Sequence, residues 1–238
     1  MKKTIGFIGG GRITKIILHA LRNKEIALNT IRVFDIDTKT SDKLKKVFPE
    51  ITIEKLSQVS SADIVFIALH PPALPETLGK IKANIKPEST IVSLAPKISC
   101  EKISSALNNE KVVRIIPGAS SIINKGYNPV YYAEGCKKFP ELETVFSALG
   151  QSFETQEHKL EAYAISSAML PTYFWFQWEE MIKISKEIGL TEEESRETIK
   201  ESLLSAVATM FDSDLSFEQV FDLIPVKPIG EHEGEIRN

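Results

Sequence analysis

The 238-residue sequence carries a formal net charge of −3 at pH 7, with 42% hydrophobic and 26% charged residues. This composition is that of an ordinary globular protein and gives no global basic field for nucleic acid. No apolar run approaches the roughly 18 residues of a membrane span, so we expect no membrane association. The short apolar start, Thr4–Ile8, favours a first strand over a signal peptide. Cys100 and Cys136 lack metal-ligand spacing, which predicts reduced thiols in a cytoplasmic protein without a metal.

The first part of the chain alternates strand-like and helix-like patterns. Such alternation predicts an α/β fold, a Rossmann-type doubly wound and mostly parallel sheet. Ile64–Leu69 is a continuous apolar run, as expected for a parallel strand that is buried on both faces. The predicted strands, in chain order, are Thr4–Ile8, Ile31–Phe34, a weak Ile51–Ile53, Ile64–Leu69, Thr90–Leu94, Val112–Ile116, Val130–Ala133 and Ser152–Thr155.

After residue 156 the pattern becomes helical. One helical pattern runs over 157–188, interrupted only by Pro171, and two capping boxes that begin at Thr191 and Ser216 open further helices. We therefore predict a dinucleotide-binding domain over 1–156 and a small all-helical domain over 157–238. The segment 173–178 is apolar around most of its circumference, which indicates either a buried core helix or a dimer interface.

The sharpest motif is the glycine loop between the first strand and the first helix. It reads Gly9-x-Gly11-x-x-Thr14, close to the dinucleotide fingerprint but with threonine at the third position. One glycine permits the tight turn, the next lets the backbone approach the pyrophosphate, and the helix N-terminus offers free N–H groups. The alternative is a plain turn, because glycine clusters are common in turns.

Asp35 lies at the predicted end of the second strand. A carboxylate there accepts hydrogen bonds from the ribose hydroxyls and repels a 2′-phosphate, which slightly favours NAD over NADP. The alternative is a loop aspartate that caps the next turn. Thr38, Lys39 and Thr40 follow closely and are able to hold a phosphate, so the sequence leaves NADP open.

The order of several motifs resembles the pyrroline-5-carboxylate reductase family, within the 6-phosphogluconate-dehydrogenase-like superfamily. Residues 5–14 are similar to the family's GFIGxGxMA, residues 62–71 to ADxVxLAVKP, and residues 111–117 to KVVRxMP. Residues 161–173 lie where the family has DAVTALSGSGPAY. The resemblance implies hydride transfer from a nicotinamide to a cyclic imine, and a homodimer or larger homo-oligomer built through the C-terminal helices. It also implies an active site between the two domains. The cofactor contacts that we expect are Gly9, Gly10, Gly11, Arg12 and Ile13 at the phosphates, Asp35 at the ribose, and Ala68, Leu69, His70 and Pro71 beside the adenosine or nicotinamide half.

The departures from the family pattern concern the substrate side. The family's MPNTP reads Ile116-Pro-Gly-Ala-Ser120, so its asparagine is missing, and the lysine of VKP is His70. Where the family has a flexible GSGPAY segment, residues 168–173 of this chain carry bulkier side chains. Only residues 226–230 stand in place of the family's SPGGTT segment. Cofactor features therefore survive better than substrate features.

Three side chains are candidates for the chemistry. His70 follows a central strand, where ligands bind in open α/β sheets, and histidine is a common general acid or base. Alternatively, it packs on the cofactor or caps the next turn. Ser167 is a candidate on the long helix, although helix serines commonly bond to the preceding turn. Ser120 follows a strand end and is placed to bind a substrate carboxylate; its alternative is an ordinary turn.

The sequence predicts an NAD(P)-dependent oxidoreductase that acts on a small imine or carbonyl. The alternative is a nucleotide-binding regulatory or structural dimer that kept the cofactor site and lost catalysis. A deazaflavin-linked NADP reductase is a third hypothesis, because its N-terminal domain is similar; the long helical C-terminal part argues against it.

Overall fold

An eight-stranded sheet occupies the first part of the chain in the computed structural model, which describes residues 3–225, 230–232 and 235. Its strands are β1 (Ile5–Ile8), β2 (Ile31–Phe34), β3 (Thr52–Ile53), β4 (Ile64–Ile67), β5 (Thr90–Ser93), β6 (Val112–Ile115), β7 (Gly126–Tyr132) and β8 (Gly150–Glu154). The strand order is β3-β2-β1-β4-β5-β6-β7-β8, and every pair is parallel except β6 with β7. The predicted doubly wound, mostly parallel sheet is therefore confirmed.

The central strands are buried because helices cover both faces of the sheet. All residues of β1, β4, β5 and β6 are buried. Phe7 and Phe66 stack on adjacent strands with their ring centroids 4.6 Å apart. The strand order reverses between β1 and β4, and ligands of such sheets bind outside the carboxyl ends at this switch point. The loops after β1 and β4 therefore define where a ligand is expected.

Ten α-helices lie in the described residues. Several of them begin at a side-chain cap. Asp37 and Ser99 each accept a backbone N–H at the start of a helix, and the capping boxes predicted at Thr191 and Ser216 each open one. The helices are α1 (Arg12–Asn23), α2 (Thr38–Val47), α3 (Leu56–Ser60), α4 (Leu74–Ile81), α5 (Cys100–Leu107), α6 (Pro140–Ala148), α7 (Leu160–Tyr163), α8 (Trp175–Glu187), α9 (Glu192–Asp212) and α10 (Phe217–Asp222).

The segment predicted as one long helix is broken. A 3₁₀ turn, α7, a π-helical turn over Ala164–Ala168 and another 3₁₀ turn over Leu170–Tyr173 precede α8. Pro171 lacks the N–H that a continuous helix needs, so the break falls beside it. The start of β7 at Gly126, four residues before the predicted strand, was hidden by glycine, asparagine and proline, which are turn residues in most contexts.

Two compact units divide the chain between Pro171 and Thr172. The first contains the whole sheet, and the second contains α8, α9 and α10. The domain boundary predicted after residue 156 is a statement about which part of the chain folds independently, and it stays a prediction. Residues 226–229, which stand in place of the family's SPGGTT segment, lie outside the described residues. Within the described part of the chain, no helix is long and apolar enough to cross a membrane.

Candidate dinucleotide site

The loop after β1 is shaped by Gly9. Its φ is +106°, a left-handed conformation that favours glycine. A Cβ at this position would overlap the carbonyl oxygen of Ala68, so the ends of β1 and β4 approach closely only because the residue is glycine. The buried Thr14 hydroxyl donates to the Gly9 carbonyl at 2.6 Å. Thr14 therefore ties α1 to the loop at the position where the fingerprint has its third glycine.

The N-terminus of α1 is open at Gly11. Gly11 is its N-cap residue, no side chain caps the helix, and the first turn holds no acidic residue. A Cβ built on Gly11 meets no atom within 4 Å, so the space beside it is empty of protein. Uncapped N–H groups and the positive end of the helix dipole make this a binding place for a phosphate.

A positively charged cavity adjoins this helix end. Its volume is about 410 Å³, and Arg12, Lys15 and Lys43 contribute its charged side chains. Gly10, Gly11 and His70 also line it. Clefts that carry charge of one sign attract ligands of the opposite sign. A pyrophosphate therefore fits both the backbone and the charge of this region.

Asp35 follows β2 and contacts the glycine loop directly. Its carboxylate accepts the Gly10 N–H at 2.7 Å and the Asp37 N–H at 2.9 Å. It is half-buried and also lines a second cavity, of about 550 Å³, beyond β2 and β3. Each carboxylate has about four acceptor sites, so two remain for ribose hydroxyls. The alternative role as a helix cap falls to Asp37, whose side chain accepts the Lys39 N–H.

The residues after β4 lie opposite the loop. The Ala68 N–H donates to the Ile8 carbonyl at 2.8 Å, which extends the pairing of the two strands into the site. Leu69 and Pro71 are half-buried, whereas His70 is exposed and lines the cavity. The His70 side chain does not cap the 3₁₀ turn that follows it. The structure thus brings His70 and the glycine loop together.

Ser120 is placed differently. It lies in a 3₁₀ turn over Ala119–Ile123, after the carboxyl end of β6, and is half-buried. The neighbouring Ser121 is fully buried and donates to Asn128 Oδ1 at 3.0 Å, a structural bond inside the fold. The same Asn128 oxygen accepts the Gly118 N–H. Asn128 of β7 therefore holds the turn in place, and the half-buried Ser120 lies at the surface of the turn, where a ligand is able to contact it.

The serines of the helical segment bond to their own preceding turn. Ser166 Oγ donates to the Ala162 carbonyl at 3.0 Å, and Ser167 Oγ donates to the Tyr163 carbonyl at 2.5 Å. This is the ordinary arrangement for helix serines. Ser167 stands in the π-helical turn, a local geometry that is frequent at functional sites. With its proton engaged, Ser167 offers a ligand only its oxygen lone pairs.

Sequence reasoning missed a buried arginine. Arg114, in the middle of β6, forms ion pairs with Glu157 and Glu161. The signal was present in the sequence, because an arginine inside the apolar run of 112–116 requires a carboxylate partner. Its partners lie more than 40 residues away, so the pattern alone does not identify them. Among the described residues, no group of three metal-binding side chains occurs.

The strand order, the left-handed Gly9 and the uncapped start of α1 define the class of this protein: a dinucleotide-binding Rossmann protein. Residues 4–97 match the family described as NADP oxidoreductase, coenzyme F420-dependent. The chain is 24% identical over 222 residues to pyrroline-5-carboxylate reductase 1 of Bacillus spizizenii, covering 89% of this chain and 73% of that one. It is 25% identical over 219 residues to pyrroline-5-carboxylate reductase of Pseudomonas aeruginosa, covering 89% and 79%. The resemblance to this group of reductases is confirmed.

Solved structures show the same fold. A pyrroline-5-carboxylate reductase from Coxiella burnetii matches with a TM-score of 0.74 at 23% identity, covering 100% of this chain and 90% of that one. The Plasmodium falciparum pyrroline carboxylate reductase with NADP bound matches with a TM-score of 0.79 at 18% identity, covering 99% and 88%. The fold class therefore agrees with these relatives along nearly the whole chain.

Proposed function

We propose that this protein is an NAD(P)H-dependent reductase of a small cyclic imine, with pyrroline-5-carboxylate as its first candidate substrate. The observation that carries the proposal is the open end of α1, where Gly11 leaves room for a pyrophosphate at the switch point of the sheet. The named relatives support the same reaction class. The alternative of a regulatory dimer without catalysis has no observation in its favour beyond the altered substrate motifs.

The chain's own residues hold and orient the cofactor. The N–H groups at the start of α1 bind the phosphates, and Arg12 and Lys15 add charge. Asp35 orients the ribose. When bound, the reduced nicotinamide supplies the hydride, and the protein contributes position and electrostatics. The residues after β4 would hold the second half of the dinucleotide, and His70 would then lie on the side of the substrate.

We further propose that His70 donates a proton or hydrogen bond to the substrate during reduction. The side chain is exposed, lines the cavity and does not cap its own turn. Ser120 and Ser167 are proposed as substrate contacts. Ser167 offers lone pairs, which suit the N–H of a protonated imine better than a carboxylate.

We propose NAD as the preferred cofactor and a homodimer as the working state. The Asp35 carboxylate, at the end of β2, disfavours a 2′-phosphate, although Lys43 lies in the adjoining cavity. The dimer proposal rests on large apolar side chains exposed on the second unit, including Phe176, Phe211 and Ile188. The predicted cytoplasmic location rests on Cys100 and Cys136, which are free and buried; burial raises the pKa of the Cys136 thiol to about 11.

The test is NADH and NADPH oxidation by the purified protein with pyrroline-5-carboxylate, and with a panel of related imines and keto acids. Turnover of an imine supports the proposal. Dinucleotide binding without turnover of any compound overturns the enzyme assignment and supports the regulatory alternative.

A matched pair of variants, His70→Phe and His70→Gln, tests His70 as the proton donor. We expect kcat to fall about 100-fold in both, because both side chains lack an acid. An unchanged kcat in His70→Phe assigns the residue to packing.

A further inference from the structure

A buried arginine joins three segments of the first unit. The Arg114 side chain is only 4% exposed. Its Nη1 lies 3.1 Å from Glu157 Oε1, and its Nη2 lies 2.6 Å from Glu161 Oε1. Taking a guanidinium out of water costs several kcal/mol unless paired groups offset it, and apolar replacements are often as stable. Stability alone therefore does not account for an ion cluster at this position.

The two carboxylates also hold the loop between β5 and α5. Glu157 Oε1 accepts the Cys100 N–H at 2.6 Å, and Glu161 Oε1 accepts the Lys97 N–H at 2.9 Å. The oxygens that pair with Arg114 are the same ones that bind these backbone groups. The position of the loop is thus coupled to the position of the arginine.

Lys97 has an unusual backbone conformation. Its φ is +62°, in the left-handed region that side chains other than glycine rarely adopt. Such residues persist where surrounding contacts impose the conformation, and they cluster at functional sites. The contact that the structure shows at this amide is the one with Glu161.

The loop between β5 and α5 lies at the carboxyl end of the sheet, the end at which we propose that the reaction occurs. Residues 94–97 follow the carboxyl end of β5, which pairs with β4, the strand that leads to His70. The nicotinamide half of a dinucleotide is expected at this side of the switch point. The same acids stand at the start of the segment that leads to Ser167. The next residue, Ala168, has its Cα 3.7 Å from the place of a Cβ on Gly118, after β6.

We propose that Arg114 and Glu161 are positioning residues for the reduction. They hold Lys97 in its left-handed conformation and so fix the loop after β5 and the Ser167 segment around the reacting atoms. This inference rests on the proposed function. It assigns no contact with substrate to either residue, and it explains why a buried arginine with two acid partners stands on β6, two strands from β4 in the sheet.

The first test compares Glu161→Ala with Glu161→Gln in the full chain. Alanine frees the Lys97 N–H, so we expect kcat to fall about tenfold or more, as misplacement of a reacting group does. The NADH dissociation constant should stay within about twofold, since the glycine loop is untouched. Glutamine keeps an acceptor oxygen and should restore most of kcat. Glu101→Ala removes a nearby exposed carboxylate as the matched control and should leave kcat unchanged.

The second test adds Lys97→Gly to Glu161→Ala. Glycine adopts the left-handed conformation without a steric cost, so the double variant should recover much of the lost kcat. A wild-type kcat in Glu161→Ala overturns the proposal, and so does a double variant as impaired as the single one. If the wild-type protein reduces no imine, the proposed function fails separately. Hydrogen exchange of the Lys97 amide then decides: the proposal requires faster exchange in Glu161→Ala, and equal exchange overturns it.

Discussion

At the scale of single residues, the two glycines of the loop have different roles, one in the fold and one in ligand binding, which the sequence motif does not distinguish. Gly9 is required by the fold, because its φ is positive and a Cβ would overlap Ala68. Gly11 is not required by the fold, because nothing surrounds its missing side chain. The fingerprint was predictable from the sequence, but this division was not, since both residues are simply glycine there.

The first prediction follows from that division. Gly11→Val should leave the melting temperature within a few degrees of the wild-type value, yet weaken NADH binding at least tenfold, because the branched side chain fills the phosphate space. Gly9→Ala should lower stability by more than the roughly 1–3 kcal/mol that backbone strain costs, because the new Cβ also overlaps the Ala68 carbonyl. Thermal unfolding and fluorescence titration of NADH measure both effects.

Gly79→Ala is the control for this pair. Gly79 is exposed within α4 with no neighbour near its missing Cβ, so alanine should raise stability by about 0.5–1 kcal/mol without altering binding. Unchanged NADH affinity in Gly11→Val would contradict the assignment of the loop.

The second prediction concerns the choice between NADH and NADPH. Asp35→Ser removes the charge that we propose repels a 2′-phosphate, while it keeps a short polar side chain. The ratio of kcat/KM for NADH over NADPH should fall at least about tenfold. Asp42→Ser, in the same second cavity, is the control and should leave this ratio unaltered. An unaltered ratio in Asp35→Ser would refute the role of Asp35 in selection.

At the scale of elements, the sequence predicted the features that depend on neighbouring residues, such as helix starts and buried strands. The capping boxes at Thr191 and Ser216 and the buried run of β4 are all found where expected. The break at Pro171 was signalled by the sequence, but the π-helical turn over Ala164–Ala168 was not. Its apolar positions fit an ordinary helix, and the contacts of this segment with Arg114 and β7 form only in the folded chain.

The third prediction concerns the junction of β1 with β4. Asp63 Oδ2 accepts the Thr4 N–H and hydroxyl, each at 2.8 Å, and Oδ1 pairs with Lys86 at 3.1 Å. Burial alone would raise the pKa of Asp63, but these hydrogen bonds outweigh it and lower the pKa. A lowered folded-state pKa stabilises the fold above the unfolded value of about 3.9, and this stabilisation is lost as the pH falls through the folded-state pKa.

Urea unfolding at several pH values between 7 and 3 measures this effect. Asp63→Asn should be less stable than the wild type at pH 7, and the difference should shrink toward pH 3. Asp214→Asn, an exposed position in the second unit, serves as the control and should follow the wild-type curve. A constant difference between Asp63→Asn and wild type across the range would show that the charge is not responsible.

At the scale of the whole molecule, the second unit exposes an apolar stripe that its own residues do not cover. Leu204, Val207 and Phe211 recur at helical spacing on one side of α9 and are 58%, 56% and 68% exposed. The sequence predicted an apolar helical part but not which residues stay exposed, because exposure depends on the packing of α8 and α10 against α9. The dimer itself stays a proposal.

The fourth prediction tests that dimer. Val207→Glu combined with Phe211→Glu places two charges on the stripe and should convert the assembly to monomers, because burying an unpaired charge is strongly unfavourable. Ser205→Glu, on another side of the same helix, should keep the wild-type assembly. Light scattering after size-exclusion chromatography gives the mass. A monomeric wild-type protein, or a double variant with unchanged mass, would count against the stripe as the interface.

The Arg114 cluster also bears on where an autonomous domain is able to end. Its acids, at 157 and 161, and the fully buried Leu160 come after the last strand. A fragment that stops at residue 156 retains the whole sheet but leaves the Arg114 guanidinium without its counter-charges, at a cost of up to about 3–5 kcal/mol. A fragment that stops at 171 keeps them. The fragment that ends at 171 should therefore fold, and the fragment that ends at 156 should be unstable, although both contain every strand.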